Sequence, residues 1–397
     1  MDSRAVEGGI SVVVPTYNRR DFLPAAVASL LGQTVLPCEI IVVNDGSDYN
    51  VRELLRHFGN LVSVIDKSNE GKPAAVNHGI EQASGDFIWV FDDDDIAENR
   101  FIEQCLPYLA LPGVDYVFGW HYAGESLSRE MVRKDHERRP RLESNSDIFA
   151  ALLSGCSIAH NAIIARKSCY QKLGGMDVTY PCSEDYEFQL RLARECRGRF
   201  LDVPSFTRRV HSGERGGSRF RYPARERRRR FLEQDRRFLA TYLQELPLTA
   251  YWLASFTEIE DSLMQVRAQY LYKFQVAASV GLWEVAMATL EEAAADSACA
   301  SGALIRDEAA QINTVFVYAE PEVLCRLEIP AHMLGIRRLA VDANSSFLRD
   351  FARVFRTALI KRMILQARST HVGESAAAGR LLFQALRMHP GIRGKKL

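Results

Sequence analysis

The run Phe87-Ile88-Trp89-Val90-Phe91, followed at once by Asp92, Asp93, Asp94 and Asp95, constrains this chain more than any other stretch. Five apolar residues in succession read as a strand buried on both faces, the pattern of parallel strands in α/β proteins. The carboxyl end of such a strand opens into the ligand crevice of an open sheet, so the four acids are expected in a site. Neighbouring carboxylates repel one another. Keeping them ionised costs little only where a hard, oxygen-liganded cation such as Mg2+ or Mn2+ offsets part of the charge. The plainer alternative is a solvated acidic turn in which Asp94 or Asp95 caps the next helix.

Two earlier stretches end the same way. Ile10 to Val14 is a short apolar run ended by Pro15, after which Thr16-Tyr17-Asn18-Arg19 turns into a helical pattern from Asp21 to Gln33. Glu39 to Val43 runs into Asn44-Asp45-Gly46-Ser47, then come a helix over Val51 to Phe58 and a strand over Leu61 to Ile65. Asn69-Glu70-Gly71-Lys72 leads into a helix from Pro73 to Ala83. This alternation predicts a parallel sheet with helices on both faces. The polar ends at Thr16 and Tyr17, at Asp45 and at Asp92 to Asp95 would then line one edge. Asp45-Gly46 alone reads equally as a tight turn.

The chain has 397 residues, which predicts two domains. Its 50 Lys and Arg balance 50 Asp and Glu, so no whole-molecule field favours nucleic acid as a partner. The eight cysteines are scattered without metal-site spacing, which suits a reducing cytosol. The start MDSRAVEGG lacks an apolar signal region and no later segment offers a membrane-spanning apolar run, so a cytoplasmic location is expected.

The succession VVVPTYNR (12–19), IIVVNDGS (40–47), NEGKPAAVNHG (69–79) and GDFIWVFDDDD (85–95) resembles the nucleotide-sugar-binding half of family 2 glycosyltransferases. The resemblance implies a GT-A fold, an α/β Rossmann-like domain with a mixed sheet. By it, Thr16, Tyr17 and Asp45 hold the nucleoside of the donor, Asn69 and Lys72 belong to the same donor site, and Asp92 and Asp93 border it. Asp94 takes the Mn2+ or Mg2+ ion. The family usually reads D-A-D-D; Asp93 replaces the small residue here, which leaves Asp94 and Asp95 both open as the metal ligand.

Farther on, Tyr116 to Tyr122 reads as a strand, Glu125 to Glu143 as a charged surface excursion, Asp147 to Leu153 as a helix and Ala162 to Arg166 as a strand. Gly174-Gly175-Met176-Asp177 precedes Ser183-Glu184-Asp185-Tyr186-Glu187, where Ser183 fits an N-cap with acids over the positive end of the dipole. The resemblance instead makes Asp185 the catalytic base. Adjacent helix positions diverge by about 100 degrees, so Glu184 and Asp185 are not both expected in one cleft. His160-Asn161 is a candidate acceptor contact, although a lone His is more often structural. In the basic stretch Arg208 to Arg237, the resemblance offers His211 as a third metal ligand and Arg215 or Arg219 as partners of the departing diphosphate; a solvated loop is the alternative. Arg227 to Arg230 open a helix to about Leu243 and read as a surface feature able to meet anionic lipid or another subunit.

The expected division is a GT-A domain over 1–222 and an α-helical domain over 223–397, with helices over Ala250 to Val280, Leu282 to Ala295, Ile305 to Val317, Ser346 to Ala367 and Ser375 to Leu386. The mixed apolar and cationic stretch from Arg353 fits either a packed helix or peripheral contact with the inner face of a membrane. The expected activity is inverting, metal-dependent transfer of a sugar from a UDP-linked donor to a hydroxyl of a glycan, glycolipid or protein, in surface polysaccharide or glycolipid synthesis. A homo-oligomer through the helical domain is a further expectation. The alternatives are a degenerate scaffold acting through the helical half and a nucleotidyltransferase, the latter disfavoured because Thr16 to Arg20 lacks the glycines of a triphosphate loop.

Overall fold

The computed structural model describes residues 8–125, 136–139, 142, 147–210, 226–252, 262–299 and 329–369. The first apolar runs form β1 (Ile10–Thr16), β2 (Glu39–Asn44), β3 (Val62–Asp66) and β4 (Phe87–Val90). They pair in parallel, with Val13 opposite both Ile41 and Val90. Three helices connect them: α1 (Leu23–Leu31), α2 (Val51–Leu55) and α3 (Lys72–Gln82).

Side-chain alternation decides which helix covers which face. Val12, Val14, Val42 and Trp89 pack with Leu23, Val27 and Leu30 of α1 and with Phe101 and Cys105 of α4 (Phe101–Leu109). Each such buried side chain contributes about 1.5–3 kcal/mol of apolar transfer. Val13 and Val43 point the other way, against Gly79 of α3. The strands β1, β2 and β4 therefore have no face left for water, which explains their unbroken apolar runs.

The sheet is mixed rather than wholly parallel. Beyond β4 come β8 (Ile163–Arg166), β6 (Tyr116–Glu125), β9 (Gly198–Val210) and β5 (Ile96–Ala97), with β7 (His136–Arg138) on the free side of β6. Among the described residues the order is β3-β2-β1-β4-β8-β6-β9-β5. The strand β8 runs antiparallel to both β4 and β6, whereas β9 is parallel to β6. The alternation that predicts parallel pairing ends at Asp95, and this second half follows its own pattern. The strand β9 escapes pattern reading because Pro204 interrupts it; Pro204 sits opposite Trp120 where the register shifts, as prolines in sheets require.

Three helices flank this half: α5 (Ile148–Leu153), α6 (Lys167–Leu173) and α7 (Glu184–Glu195). The chain divides into two compact units, Met1–Gln234 and Asp235–Leu397, within α8 (Arg227–Glu245). In the second, α9 (Ser262–Ser279), α10 (Trp283–Ala295), α11 (Ile329–Asp342) and α12 (Ser346–Ser369) pack on one another. No helix starts at Ala250: Leu248–Ala250 is a 3-10 turn. The apolar face of α12 is taken up inside this unit, since Phe351 and Phe355 stand edge-on to Phe274 at 5.0 and 5.6 Å. The helices predicted over Ile305 to Val317 and Ser375 to Leu386 lie outside the described residues. Among the described residues no helix is long and apolar enough to cross a membrane.

Candidate active site

The ends of β1, β2 and β4 meet at one edge of the sheet. Thr16, buried at the end of β1, accepts the Asp45 amide through its carbonyl at 2.9 Å. Tyr17 follows, half-buried, in the turn before α1. Asn18 has φ 54° and ties that turn to the next one: its amide donates to Ser47 Oγ at 3.0 Å, and its Oδ1 accepts the Asp48 amide at 2.9 Å.

Asp45 is 2% exposed and organises the loop that follows β3. Its Oδ1 accepts Lys67 Nζ at 2.9 Å and the Glu70 amide at 3.0 Å, and its Oδ2 accepts the Gly71 amide at 2.8 Å. Asn69 Nδ2 donates to the Asp45 carbonyl at 2.7 Å. Asp45 and Asn69, both expected at the donor, thus shape the loop that delivers Lys72 to the first turn of α3. A carboxylate oxygen has a second lone pair, so these bonds leave Asp45 capacity to accept from a base.

Lys72 joins parts of the chain that are far apart in sequence. Its Nζ lies 2.6 Å from Asp92 Oδ1 and 4.0 Å from Glu184 Oε1. Burial would lower the ammonium's pKa, but the carboxylates of Asp92, Glu184 and Asp185 outweigh it and hold Lys72 firmly protonated. Glu184 is pushed up to about 7 by burial and by Asp185 beside it, against the pull of Lys72. Of these two acids Glu184 is the one within 4.0 Å of the ammonium, and the charge of Asp185 acts on it as well. Both stand in the first turn of α7, entered through Ser183 at φ 61°, a left-handed conformation that costs a non-glycine residue energy and re-aims the chain. Ser183 occupies the N-cap position without capping: its Oγ contacts the Phe231 carbonyl at 3.5 Å. Asp185 is half-buried, and its Oδ1 accepts the Tyr186 amide at 2.9 Å.

The four acids divide. Asp92, Asp94 and Asp95 can each offer an oxygen within 4.8 Å of the others. This all-oxygen set fits a hard divalent cation. Asp95 is buried, with Oδ1 accepting the Arg209 amide and Oδ2 accepting Asn161 Nδ2. Asp93 turns inward, where burial and the adjacent Asp94 raise its carboxyl to about 8 despite Arg19. Arg19 lies 3.9 Å from both Asp93 Oδ1 and Asp94 Oδ2. Neither Arg19 nor Arg209 stands among the sequence candidates for donor or metal. Arg209 is fully buried and donates from Nε to the Asp94 carbonyl at 2.9 Å. Their only sequence signal is position, at the end of PTYNR and at the close of a strand. His211, Arg215 and Arg219 lie outside the described residues.

Behind the site, Asn77 of α3 clasps the loop before α7: its Oδ1 accepts the Met176 amide and its Nδ2 donates to the Met176 carbonyl, each at 2.8 Å. Arg191 forms two parallel bonds of 2.7 Å to Glu187 and reaches the carbonyls of Leu173 and Gly175. His160, a candidate acceptor contact by sequence, is buried with its Nε2 3.4 Å from the Tyr170 hydroxyl. Burial and the Lys72 charge lower its pKa to about 3, so it stands neutral.

Fold and site together define an α/β protein that gathers carboxylates and basic side chains where parallel strands end, the usual place of a ligand crevice. Residues 11–172 match the sequence model described as Glycosyl transferase family 2. An uncharacterized glycosyltransferase of Rickettsia typhi is 25% identical over 211 residues, 52% of this chain and 65% of that relative. Glycosyltransferase GlyG of Streptococcus pneumoniae is 39% identical over 117 residues, 28% of this chain and 39% of that protein. The chain thus spans less than two thirds of these relatives. Among solved structures, Staphylococcus aureus TarS 1–349 with UDP-GlcNAc has a TM-score of 0.49 at 16% identity, covering 88% of this chain and 91% of that one. The mannosyltransferase PcManGT from Pyrobaculum calidifontis with GDP-Man and Mn2+ has a TM-score of 0.45 at 16% identity, covering 85% and 88%. Likenesses this distant carry no weight for the site.

Proposed function

We propose that the chain is an inverting, metal-dependent glycosyltransferase that moves a sugar from a UDP-linked donor to an acceptor hydroxyl. The observation that supports this reading most is the junction at Lys72, where one ammonium draws together Asp92 from the end of β4 and the acids that open α7. Asp92 and Asp94 would hold Mn2+ or Mg2+, which when bound supplies positive charge for the departing diphosphate. Lys72 and Arg19 add fixed positive charge at the same edge.

Asp185 is the base. It accepts the proton of the acceptor hydroxyl as that oxygen bonds to the anomeric carbon, while the bond from that carbon to the diphosphate breaks. Glu184, raised to about 7 and beside Lys72, steadies the ammonium and keeps the pair of acids from both ionising readily. An acceptor in surface polysaccharide or glycolipid synthesis is consistent with the match of residues 11–172 to the Glycosyl transferase family 2 model.

The test is transfer from a panel of nucleotide sugars, with donor binding measured separately. Asp185→Asn should lose transfer by about 100-fold or more and still bind donor. Full turnover by Asp185→Asn with loss in Glu184→Gln would move the base to Glu184.

A further inference from the structure

Asn161 is 3% exposed and touches both ends of the acidic run. Its Oδ1 accepts the Asp92 amide at 3.2 Å, and its Nδ2 donates to Asp95 Oδ2 at 2.7 Å. It is itself held in place, because its carbonyl accepts Trp89 Nε1 at 2.7 Å. Trp89 lies wholly buried in β4, with ring contacts at 5.2 Å to Phe91 and to Phe101. The other oxygen of Asp95 takes the Arg209 amide at 2.8 Å. Both oxygens of Asp95 therefore carry neutral N–H donors in a place closed to water, whereas Asp92 and Asp94 remain partly exposed.

We propose that Asn161 is the positioning residue of the acidic turn: it anchors Asp95 as a structural acceptor, fixes the backbone at Asp92, and so presents Asp92 and Asp94, without Asp95, to the divalent cation. This deepens the reading of the site as metal-dependent and rests on it. The side-chain amide is required because it must accept from one partner and donate to the other. Aspartate at this position keeps the acceptor and sets a second carboxylate against Asp95. Conversely, an amide at position 95 meets N–H donors on both sides, from Asn161 and from Arg209, and satisfies only one of them.

The two changes made together restore these three bonds. With Asn161→Asp and Asp95→Asn combined, the new carboxylate accepts the Asp92 amide and the new side-chain N–H, and the side-chain oxygen at 95 still accepts the Arg209 amide. The summed charge of the run and position 161 is also restored.

The experiment is direct titration of the full chain with Mn2+ alone, read as free Mn2+ by electron paramagnetic resonance, with thermal melting recorded alongside. Each single variant should weaken Mn2+ binding roughly 10- to 100-fold, the usual effect of losing a partner behind a ligand. The double variant should return to within about threefold of wild type. Asp94→Asn, alone or added to the double variant, should lose Mn2+ with little change in melting. If either single variant fails to fold, a folded double variant that binds Mn2+ supports the proposal by itself. A folded double variant that binds no better than Asp95→Asn overturns it and makes Asp95 a ligand. Absence of Mn2+ binding by the wild type overturns the metal-dependent reading first, and the positioning role with it.

Discussion

The Lys72 ammonium stands 2.6 Å from Asp92 Oδ1, a charge-assisted contact between the first turn of α3 and the end of β4. Such bonds contribute about 1.5–3 kcal/mol where water is partly excluded. Lys72→Met would leave Asp92 and Glu184 facing each other with no cation between them, and would remove a positive group from the edge where the diphosphate is proposed to lie. UDP affinity in the presence of Mn2+, measured by calorimetry, should fall about 10- to 100-fold, with Lys72→Arg in between. Unchanged affinity in Lys72→Met would separate this lysine from the donor.

The same helix depends on a glycine. A Cβ at Gly79 would sit 2.4 Å from Val13 Cγ1 and 3.0 Å from Val43 Cγ2. Alanine ordinarily gains about 1 kcal/mol over glycine inside a helix. Here the clash should win, because both valines are stiff at χ1, fully buried and fixed on paired central strands. Gly79→Ala is expected to lose about 1–2 kcal/mol in chemical denaturation, with a lower melting temperature. A more stable variant would show that α3 can move off the sheet.

How far the sequence carries depends on whether a residue acts locally. The strands β1 to β4 and helices α1 to α3 are legible because apolar runs and turn residues are written in consecutive positions, and the acids at the end of β4 announce themselves. Arg19 and Arg209 do not, and Asn161 is marked in the sequence only beside His160 as a candidate acceptor contact, since each works through a partner tens of residues away: Asn161 and Asp95 are 66 positions apart, Arg209 and Asp95 114. The antiparallel entry of β8 likewise leaves no local trace, because Ile163–Arg166 pairs with β4 and β6 through backbone bonds that no side-chain pattern encodes. Asp45 is a candidate donor residue by resemblance. Its grip on the Glu70 and Gly71 amides becomes visible only in three dimensions.

His121 gives the first unit a pH dependence of known sign. It is buried, with its ring stacked on Phe206 at 4.7 Å. Burial, with Arg208 and Arg138 adding to it, lowers its pKa from 6.5 to about 4. Between those values the unfolded chain binds a proton that the folded chain refuses, so unfolding becomes easier as pH falls through this window. One such group changes stability by at most about 1.4 kcal/mol per pH unit. His121→Phe keeps the stacked ring and removes the titration. Its denaturation free energy should fall less steeply than that of wild type from pH 6.5 to 4, and parallel curves would refute the assignment.

The clasp between Asn77 and Met176 links the helix that carries Lys72 to the loop that precedes Glu184 and Asp185. Gly175, at φ +76°, brings that loop so close that a Cβ there would lie 2.6 Å from Asn77 Oδ1. Asn77 does not hold this loop by itself; Arg191, held by Glu187, takes the carbonyls of Leu173 and Gly175 on the other side. Removing one tie should therefore loosen the entry to α7 without unfolding it. On the proposed function, a base displaced by about 1 Å loses up to roughly 100-fold in rate, whereas the donor contacts proposed for β1, β2 and β4 are untouched. Asn77→Ala is expected to lower kcat by about 10- to 100-fold with the donor KM changed less than about threefold. A rise in donor KM at constant kcat would place the clasp on the donor side, and would mean that α7 keeps its position without Asn77.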